Sequence, residues 1–196
     1  GVILLAAGAS SRLGKPKQLL PYKGMSLIEH MVSVIEETGL TPVIVVLGAH
    51  SSSIMPDLKN KKVTITINEE WEEGIASSIR CGINSLQVNY ETCDGALILV
   101  VDQPYITPVL LHNLLETQQS SRKPIAACNY ENTTGTPAVF HKLLFPELLK
   151  LKGDKGAGKI LQQRKGDVAA LSFPMGSFDI DTEDDYKKLQ QTNRAD

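Results

Sequence analysis

The segment from residue 5 to residue 21 combines small residues with clustered cations. Its small residues are Ala6, Ala7, Gly8 and Ser10, and its cations are Arg12, Lys15 and Lys17. Small side chains let a ligand approach the backbone closely, and N–H groups exposed in a glycine-containing turn bind anions. Cations on the same loop add charge attraction. The segment therefore predicts a site for a polyphosphate.

Two well-known phosphate-binding loops do not fit this segment. A dinucleotide-binding loop requires the spacing G-x-G-x-x-G, which the segment lacks. A P-loop requires four residues between its two glycines and a Ser or Thr after its lysine. Here five residues separate Gly8 from Gly14, and Pro16 stands where the hydroxyl residue belongs. The predicted polyphosphate site is thus of another kind.

Three aspartates are candidates for the acidic part of such a site. Asp102 follows the apolar run Ala96–Val101, which places it at the carboxyl end of a strand. Mg²⁺ takes oxygen ligands and commonly lies between one or two carboxylates and substrate phosphates. Asp179 and Asp181 are two positions apart, so their side chains point the same way on an extended segment. One of them could complete a metal site with Asp102, or both could belong to an ordinary loop.

Two further segments have open interpretations. Gly74, Ser77 and Ser78 begin a predicted helix just after Trp71, where free N–H groups and hydroxyls suit a nucleotide phosphate or ribose. The serines could equally lie on the polar face of that helix. The glycine-rich turn at residues 153–158 could contact a second substrate or simply join two helices.

The elements that position these residues follow from the apolar pattern. Seven short apolar runs predict strands: Val2–Ala6, Val43–Leu47, Val63–Ile67, Ala96–Val101, Ile125–Cys128, Ala138–Phe140 and Val168–Leu171. The first, second and fourth are continuous rather than alternating, which is typical of strands buried on both faces of a parallel sheet. In such sheets ligands bind beyond the carboxyl ends of the strands.

Four helices are predicted between and after these strands. Ser26 and Glu29 form a capping box for the first, and Gly39 marks its end. Apolar residues from Ile75 to Leu86 recur at helical spacing. Thr107 and Pro108 begin the third helix, and Thr182 can cap the last, from Glu183 to Gln191. Alternating strands and helices predict an α/β, three-layer, Rossmann-like fold with a mostly parallel central sheet.

Composition narrows the class of protein. With 196 residues, 42% of them hydrophobic, the chain suits one domain over residues 1–196. A net charge of −2 indicates no nucleic-acid partner. The three cysteines are widely spaced and odd in number, which favours a reducing cytoplasm over a disulfide framework. We expect no membrane partner, because no apolar run reaches the ~20 residues that span a bilayer. The first residues also lack the basic flank of a signal peptide.

The first loop also resembles a family signature. Its pattern Leu5-Ala6-Ala7-Gly8-x-Ser10-x-Arg12-x-Gly14-x-x-Lys17-x-x-Leu20-Pro21 is similar to that of the MobA-like nucleotidyltransferases, above all the molybdenum cofactor cytidylyltransferases. Further segments resemble the same family: residues 73–79, 101–104, 153–157 and 179–182. Together they extend over nearly the whole chain.

This resemblance implies a Mg²⁺-dependent transfer of CMP from CTP to the phosphate of molybdopterin, with release of pyrophosphate. It implies catalytic roles for Arg12, Lys17 and Asp102, and metal binding by Asp102 and Asp181. It assigns nucleotide binding to Leu5, Ala6, Ala7, Gly8, Ser10, Arg12, Lys17, Gly74, Ser77 and Ser78. Position 7 is typically alanine in the cytidylyltransferases and glycine in the related guanylyltransferases. The product would serve a hydroxylase of the xanthine dehydrogenase type, with which the chain would make transient contact.

Two alternatives stay open at this level. The donor could be GTP, or the acceptor another small phosphomonoester or a sugar 1-phosphate. The chain could also be a non-catalytic nucleotide-binding accessory protein of a molybdoenzyme, although the joint presence of Arg12, Lys17 and Asp102 favours an enzyme.

Overall fold

A seven-stranded sheet lies at the centre of the computed structural model, which describes residues 1–131 and 133–192. A separate pair of short strands, β2 and β3, follows the first loop. The strands are β1 (Val2–Ala6), β2 (Pro21–Tyr22), β3 (Met25–Ser26), β4 (Val43–Leu47), β5 (Thr64–Ile67), β6 (Gly95–Val100), β7 (Ile125–Tyr130), β8 (Thr133–His141) and β9 (Val168–Ser172). Each of the seven predicted apolar runs forms one strand of the large sheet, as expected.

The strand order of the large sheet is β5-β4-β1-β6-β8-β7-β9. All neighbouring pairs are parallel except those involving β8, which runs antiparallel to both β6 and β7. The chain leaves β1 toward β4 on one side and later returns to β6 on the other. This reversal at β1 opens a crevice at the carboxyl ends of β1 and β6, where α/β sheets bind ligands.

Helices cover both faces of the sheet. They are α1 (Leu27–Glu37), α2 (Ser51–Leu58), α3 (Ile75–Asn89), α4 (Pro108–Ser121), α5 (Phe145–Leu148), α6 (Gly158–Gln163) and α7 (Glu183–Thr192). One core lies between the sheet and α1, α2, α4 and α7. A second lies between the opposite face and α3, α5 and α6. The predicted three-layer α/β fold with a mostly parallel sheet is confirmed, while the single-domain assignment to residues 1–196 stays a prediction.

Three predicted helix starts have the expected caps. The Ser26 hydroxyl accepts a hydrogen bond from the Glu29 N–H, and the Glu29 carboxylate accepts one from the Ser26 N–H at 2.9 Å. The Thr107 hydroxyl accepts from the N–H of Leu110 at 3.2 Å. Thr182 accepts from the N–H of Asp185, whose carboxylate accepts from the Thr182 N–H in return. These bonds satisfy donors that a helix start leaves free.

Three short helices have no counterpart among the predictions. α2 begins after His50, whose φ of 62° is left-handed, and it contains Pro56. Its serine-rich start has low helix propensity, and only Ile54 and Leu58 are buried among its described residues. α5 and α6 have four and six residues, too few to show a helical period. Among the helices formed by residues 1–131 and 133–192, none is long and apolar enough to span a membrane.

Candidate active site

A cleft of about 440 Å³ opens at the carboxyl ends of β1 and β6. The first loop forms one wall, and the start of α3 forms the other. Its lining residues are Leu5, Ala6, Ala7, Gly8, Ala9, Ser11, Arg12, Lys17, Gln18, Trp71, Glu72, Gly74, Ile75, Ser78, Val100, Val101, Asp102 and Asp154. Arg12, Lys17 and Asp102 make up its charged end. The remaining lining, here called the apolar end, consists mainly of small and apolar residues, together with the carboxylates of Glu72 and Asp154. The cleft therefore suits a ligand with a flat, uncharged part and an anionic part.

The first loop is held in shape by its own hydrogen bonds. Ser10 has a left-handed φ of 56°, and its carbonyl accepts from the N–H groups of Leu13 and Gly14. Its hydroxyl accepts from the N–H of Lys17 at 3.1 Å. Gly14 also has a positive φ, 74°, which an L side chain would strain. These turns carry the chain back so that Lys17 faces the carboxyl end of β6.

Lys17 joins the two candidate metal ligands. Its Nζ lies 2.8 Å from Asp102 Oδ2 and 2.7 Å from Asp181 Oδ1, and its side chain is only 11% exposed. Arg12 donates to the other oxygen of Asp181 at 2.7 Å. Asp181, which the family resemblance favours over Asp179 as the partner of Asp102, thus shares the Lys17 ammonium with Asp102. Its role as a metal ligand stays a prediction. Two cations and two carboxylates thus alternate at the charged end of the cleft.

The environment shifts the pKa values of these groups. Burial lowers the pKa of Lys17, but Asp102 and Asp181 raise it by more, so its net pKa lies above the ordinary value. Burial raises the pKa of Asp181, but Lys17 and Arg12 lower it by more. Burial, together with repulsion from Asp102 and Asp181, raises the pKa of Asp179 to about 6. At neutral pH Lys17 is therefore a cation and Asp181 an anion.

The described residues can supply only part of a metal's coordination shell. Across residues 1–131 and 133–192, no three His, Cys, Asp or Glu side chains are placed to hold a metal ion together. Asp102 and Asp181 both reach the point where the Lys17 ammonium lies. Such a pair fits a hard divalent cation that takes its other ligands from water and substrate phosphates.

The start of α3 is anchored by Asn68, which lies just beyond β5 and is 4% exposed. Its side-chain N–H groups donate to the hydroxyls of Ser77 at 2.8 Å and Ser78 at 3.0 Å. The Ser77 hydroxyl in turn donates to the carbonyl of Gly74. Ser78 lines the cleft, whereas Ser77 is 2% exposed. In this structure the two serines therefore fix the wall of the cleft.

Replacement of Asn68 by alanine is expected to lower the free energy of unfolding by about 2 kcal/mol, because it leaves buried hydroxyls without their donor. For a chain of this length the thermal midpoint should fall by roughly 4–8 °C. Differential scanning fluorimetry measures the shift. The matched control is Asn60→Ala, at an exposed position after α2, which should change the midpoint little. Equal midpoints for the two variants would contradict the anchoring role.

The glycine-rich turn at residues 153–158 joins α5 to α6 and also reaches the cleft. The carbonyl of Gly153 accepts from the N–H of Ala76, in the first turn of α3. The Gly153 N–H donates to Glu73, which Arg80 also holds at 2.8 Å. These two donors, Arg80 first, lower the pKa of Glu73 to about 2. Asp154 thereby lines the cleft, so the turn both joins two helices and contributes to the site.

Most of the predicted site residues lie together. Leu5, Ala6, Ala7, Gly8, Arg12, Lys17, Gly74, Ser78 and Asp102 all line the cleft. Asp181 reaches it through Lys17 and Arg12. Within the described residues, Ser10 and Ser77 lie outside the lining, and their hydroxyls bond to the protein. Direct nucleotide contacts by these two serines stay predictions.

Two residues of the site were not expected from the sequence. Asn68 anchors α3, and Gln18, 1% exposed, donates both to the carbonyl of Ala6 at 2.8 Å and to that of Gly8 at 3.0 Å. The sequence could have indicated a structural role for Gln18. It is an uncharged polar residue just before Leu19 and Leu20, so it can be buried with them, and a buried amide requires hydrogen-bond partners.

A family model, a relative in sequence and relatives in structure all match this chain over most of its length. Residues 2–168 match the MobA-like NTP transferase domain. Nicotine blue oxidoreductase of Paenarthrobacter nicotinovorans is 30% identical over 196 residues, which cover 95% of this chain and 94% of that protein. Rv0371c of Mycobacterium tuberculosis H37Rv is similar in structure, with a TM-score of 0.83 and 30% identity, and the match covers 97% and 96% of the two chains. A structure of Rv0371c with manganese, 28% identical, has a TM-score of 0.78 and covers 97% of each chain.

Proposed function

Because the chain belongs to the MobA-like NTP transferase family, we propose that it transfers CMP from CTP to the phosphate of a small molecule and releases pyrophosphate. We propose molybdopterin as the acceptor. The single observation that carries a transfer reaction is the arrangement of Arg12, Lys17, Asp102 and Asp181 at the charged end of the cleft. The apolar end beside it accommodates the base.

The chain's own residues would act by orientation and charge. An ionised oxygen of the acceptor phosphate forms a bond to the α-phosphorus, and the bond from that phosphorus to the β-bridging oxygen breaks. The electron pair leaves with pyrophosphate, so no strong general base is required. Arg12 and Lys17 are cations at the place where this negative charge develops, which lowers the barrier. The walls of the cleft align the two reactants.

We propose Mg²⁺ as the metal, held by Asp102 and Asp181 together with phosphate oxygens. When bound, it would neutralise charge on the triphosphate. The ammonium of Lys17 lies between the two carboxylates, so Lys17 would turn toward the phosphates as the metal binds. The manganese in the structure of Rv0371c supports a divalent metal in a relative.

Ala7 supports CTP as the donor. Ala7 directly follows β1, its carbonyl accepts from the N–H of Ala49, and the residue lines the cleft while only 4% exposed. We propose that its methyl group leaves room for the smaller ring of a pyrimidine. We expect kcat/KM for CTP to exceed that for GTP by at least about tenfold, or roughly 1.4 kcal/mol.

Ala7→Gly is expected to narrow this ratio, because glycine removes the methyl group and frees the backbone angles of the loop. Steady-state kinetics with both nucleotides and one acceptor measure the ratio. Ala170→Gly, at an exposed position of β9 outside the cleft lining, is the matched control and should leave the ratio unchanged. An unmodified enzyme that prefers GTP would contradict the assignment of CTP.

The proposed function is tested by a screen of four NTPs against molybdopterin, its molybdenum form and common sugar phosphates, with pyrophosphate release as the readout. We expect release with CTP and molybdopterin in the presence of Mg²⁺. Release with a sugar 1-phosphate alone would favour that acceptor instead. NTP binding with no pyrophosphate release under any pairing would favour the non-catalytic accessory protein.

A cytoplasmic location and a transient contact with a xanthine dehydrogenase-type molybdoenzyme complete the proposal. Cys81, Cys93 and Cys128 are all free thiols, which agrees with a reducing compartment. A dinucleotide product made in this cleft would have to pass to the enzyme that uses it. Co-purification of the two proteins in the presence of product, and not in its absence, is the expected sign of that contact.

A further inference from the structure

We propose that Gln18 determines base specificity, by clamping two carbonyl groups so that the first loop presents N–H donors to the base. The inference rests on the proposed function, since it concerns the nucleotide in the same cleft. It assigns to Gln18 a positioning role, exerted through the loop. The ligand class it selects is a base with two adjacent hydrogen-bond acceptors, as in cytosine.

The carbonyl groups of the loop are all occupied by protein donors. Those of Ala6 and Gly8 accept from the two N–H groups of Gln18 Nε2. The intervening carbonyl of Ala7 accepts from the N–H of Ala49 at 3.0 Å, and that of Leu5 accepts from the N–H of Val101 at 3.1 Å. His50 Nε2 lies 3.2 Å from the next carbonyl, that of Ala9. From Leu5 to Ala9 the backbone thus has its acceptors engaged.

Three N–H groups of the same loop, unlike its carbonyl groups, are free to bind a ligand. Among residues 1–131 and 133–192, no protein acceptor contacts the N–H of Ala7, Gly8 or Ala9. These residues line the cleft at and beside its apolar end. A ligand that enters there meets donors on this wall. Ala7 is 4% exposed, whereas Gly8 is open to solvent and Ala9 is half-buried. A ligand that displaces water from this wall must therefore offer acceptors to these N–H groups, because a donor left unpaired in the complex is destabilising.

The bases differ in what they offer to such a wall. Cytosine has adjacent acceptors at O2 and N3 beside one amino group, whereas guanine has adjacent donors at N1–H and the 2-amino group. The donors of guanine would need free carbonyl groups on the first loop. Gln18 already donates to two of these carbonyls, those of Ala6 and Gly8. A site built for one hydrogen-bonding edge discriminates strongly against another. The clamp therefore favours cytosine and disfavours guanine.

The side-chain oxygen of Gln18 shows which way its amide group is oriented. Its Oε1 is buried and has no hydrogen-bond partner among the described residues, although the residue lines the cleft. The amide cannot be turned over without placing this oxygen against the carbonyls of Ala6 and Gly8. The orientation of the amide is thus fixed, and its two donors stay on the carbonyls of Ala6 and Gly8.

Binding measurements test the clamp without an acceptor substrate. Trp71 is the one tryptophan of the sequence and lines the cleft, so its fluorescence reports binding of Mg²⁺ complexes of CTP, UTP, GTP and tripolyphosphate. We expect the unmodified chain to bind CTP at least about tenfold more tightly than GTP. Gln18→Met keeps the length of the side chain and removes its donors. It should reduce that ratio to about threefold or less, while tripolyphosphate affinity changes by less than about twofold.

The matched control is Gln163→Met, the same replacement at an exposed position of α6 outside the cleft lining, and it should preserve the CTP to GTP ratio. Loss of selectivity in Gln163→Met, or full selectivity in a folded Gln18→Met variant, would overturn the inference and leave the transferase proposal intact. Failure of the unmodified chain to bind any NTP would overturn the proposed function as well. If Gln18→Met does not fold, ¹⁵N spectra of the unmodified chain decide. CTP should shift the Ala7 and Gly8 amide resonances more than GTP does, and equal shifts would refute the clamp.

Discussion

Replacement of Asp102 by alanine is expected to leave the chain folded and to lower kcat/KM by at least about 100-fold, or roughly 3 kcal/mol. Asp102 lies two residues after β6, at the charged end of the cleft, and its side chain is 23% exposed. Its removal eliminates one of two proposed metal ligands and one partner of Lys17. The reaction then loses charge neutralisation where pyrophosphate leaves. Pyrophosphate release at varied Mg²⁺ concentration measures the loss.

Asp94→Ala is the matched control for this experiment. Asp94 pairs with Lys142 at 2.6 Å, next to the opposite end of β6, and its side chain is 77% exposed. Loss of that ion pair should leave kcat/KM nearly unchanged, because exposed pairs contribute little. A folded Asp102→Ala variant that retains near-normal turnover with Mg²⁺ would contradict the metal assignment. Thermal midpoints of both variants establish that they fold.

Replacement of Lys17 by alanine is expected to lower kcat/KM by about 100-fold or more, whereas Lys15→Ala should lower it by less than about threefold. The two lysines are two positions apart on one loop, yet they face different groups. Lys17 lies between Asp102 and Asp181, and burial leaves 11% of its side chain exposed. Lys15 pairs with Glu183 at 2.7 Å and is 46% exposed. Of the two lysines, only Lys17 is therefore placed to contact the triphosphate.

Steady-state kinetics of the two variants at saturating Mg²⁺ test this distinction. Lys17→Arg keeps the charge but not the compact ammonium, and it should recover part of the activity. Similar losses in the Lys15 and Lys17 variants would show that the loop acts by its total charge. That result would contradict the specific role of Lys17.

The fold could be predicted largely because its strands are buried on both faces. β1, β4 and most of β6 are apolar at successive positions, a pattern that a surface strand does not show. The helix starts at Ser26, Thr107 and Thr182 were predictable for a different reason. Capping is a local hydrogen bond, so the residues that make it are close in sequence.

The rest of the site depends on contacts between residues distant in sequence. Lys17 meets Asp102 and Asp181 across 85 and 164 positions, and a periodicity of a few residues cannot reveal such pairs. Asn68 and Gln18 act on groups whose positions the tertiary fold decides. α2 illustrates the same limit, because burial of Ile54 and Leu58 outweighs a serine-rich start and an internal proline.

The choice between Asp179 and Asp181 shows what geometry adds to a pattern. Two aspartates at alternate positions are equivalent by their spacing alone, and they flank Ile180, which contacts Asp102 just beyond β6. In the structure, the N–H of Ile180 donates to the carbonyl of Asp102 at 3.1 Å and fixes the register of this segment. That register directs Asp181 to Lys17 and Arg12.

Nucleotidyl transfer is tested most directly by following the α- and γ-phosphorus atoms of the nucleotide into the products. The chain is incubated with Mg²⁺, molybdopterin and CTP labelled with ³²P at either the α or the γ position, and the products are separated. We predict that the α label appears in the acceptor product and the γ label in pyrophosphate, in equal amounts. Transfer of the γ label to the acceptor, or recovery of both labels in unchanged CTP, would contradict the account.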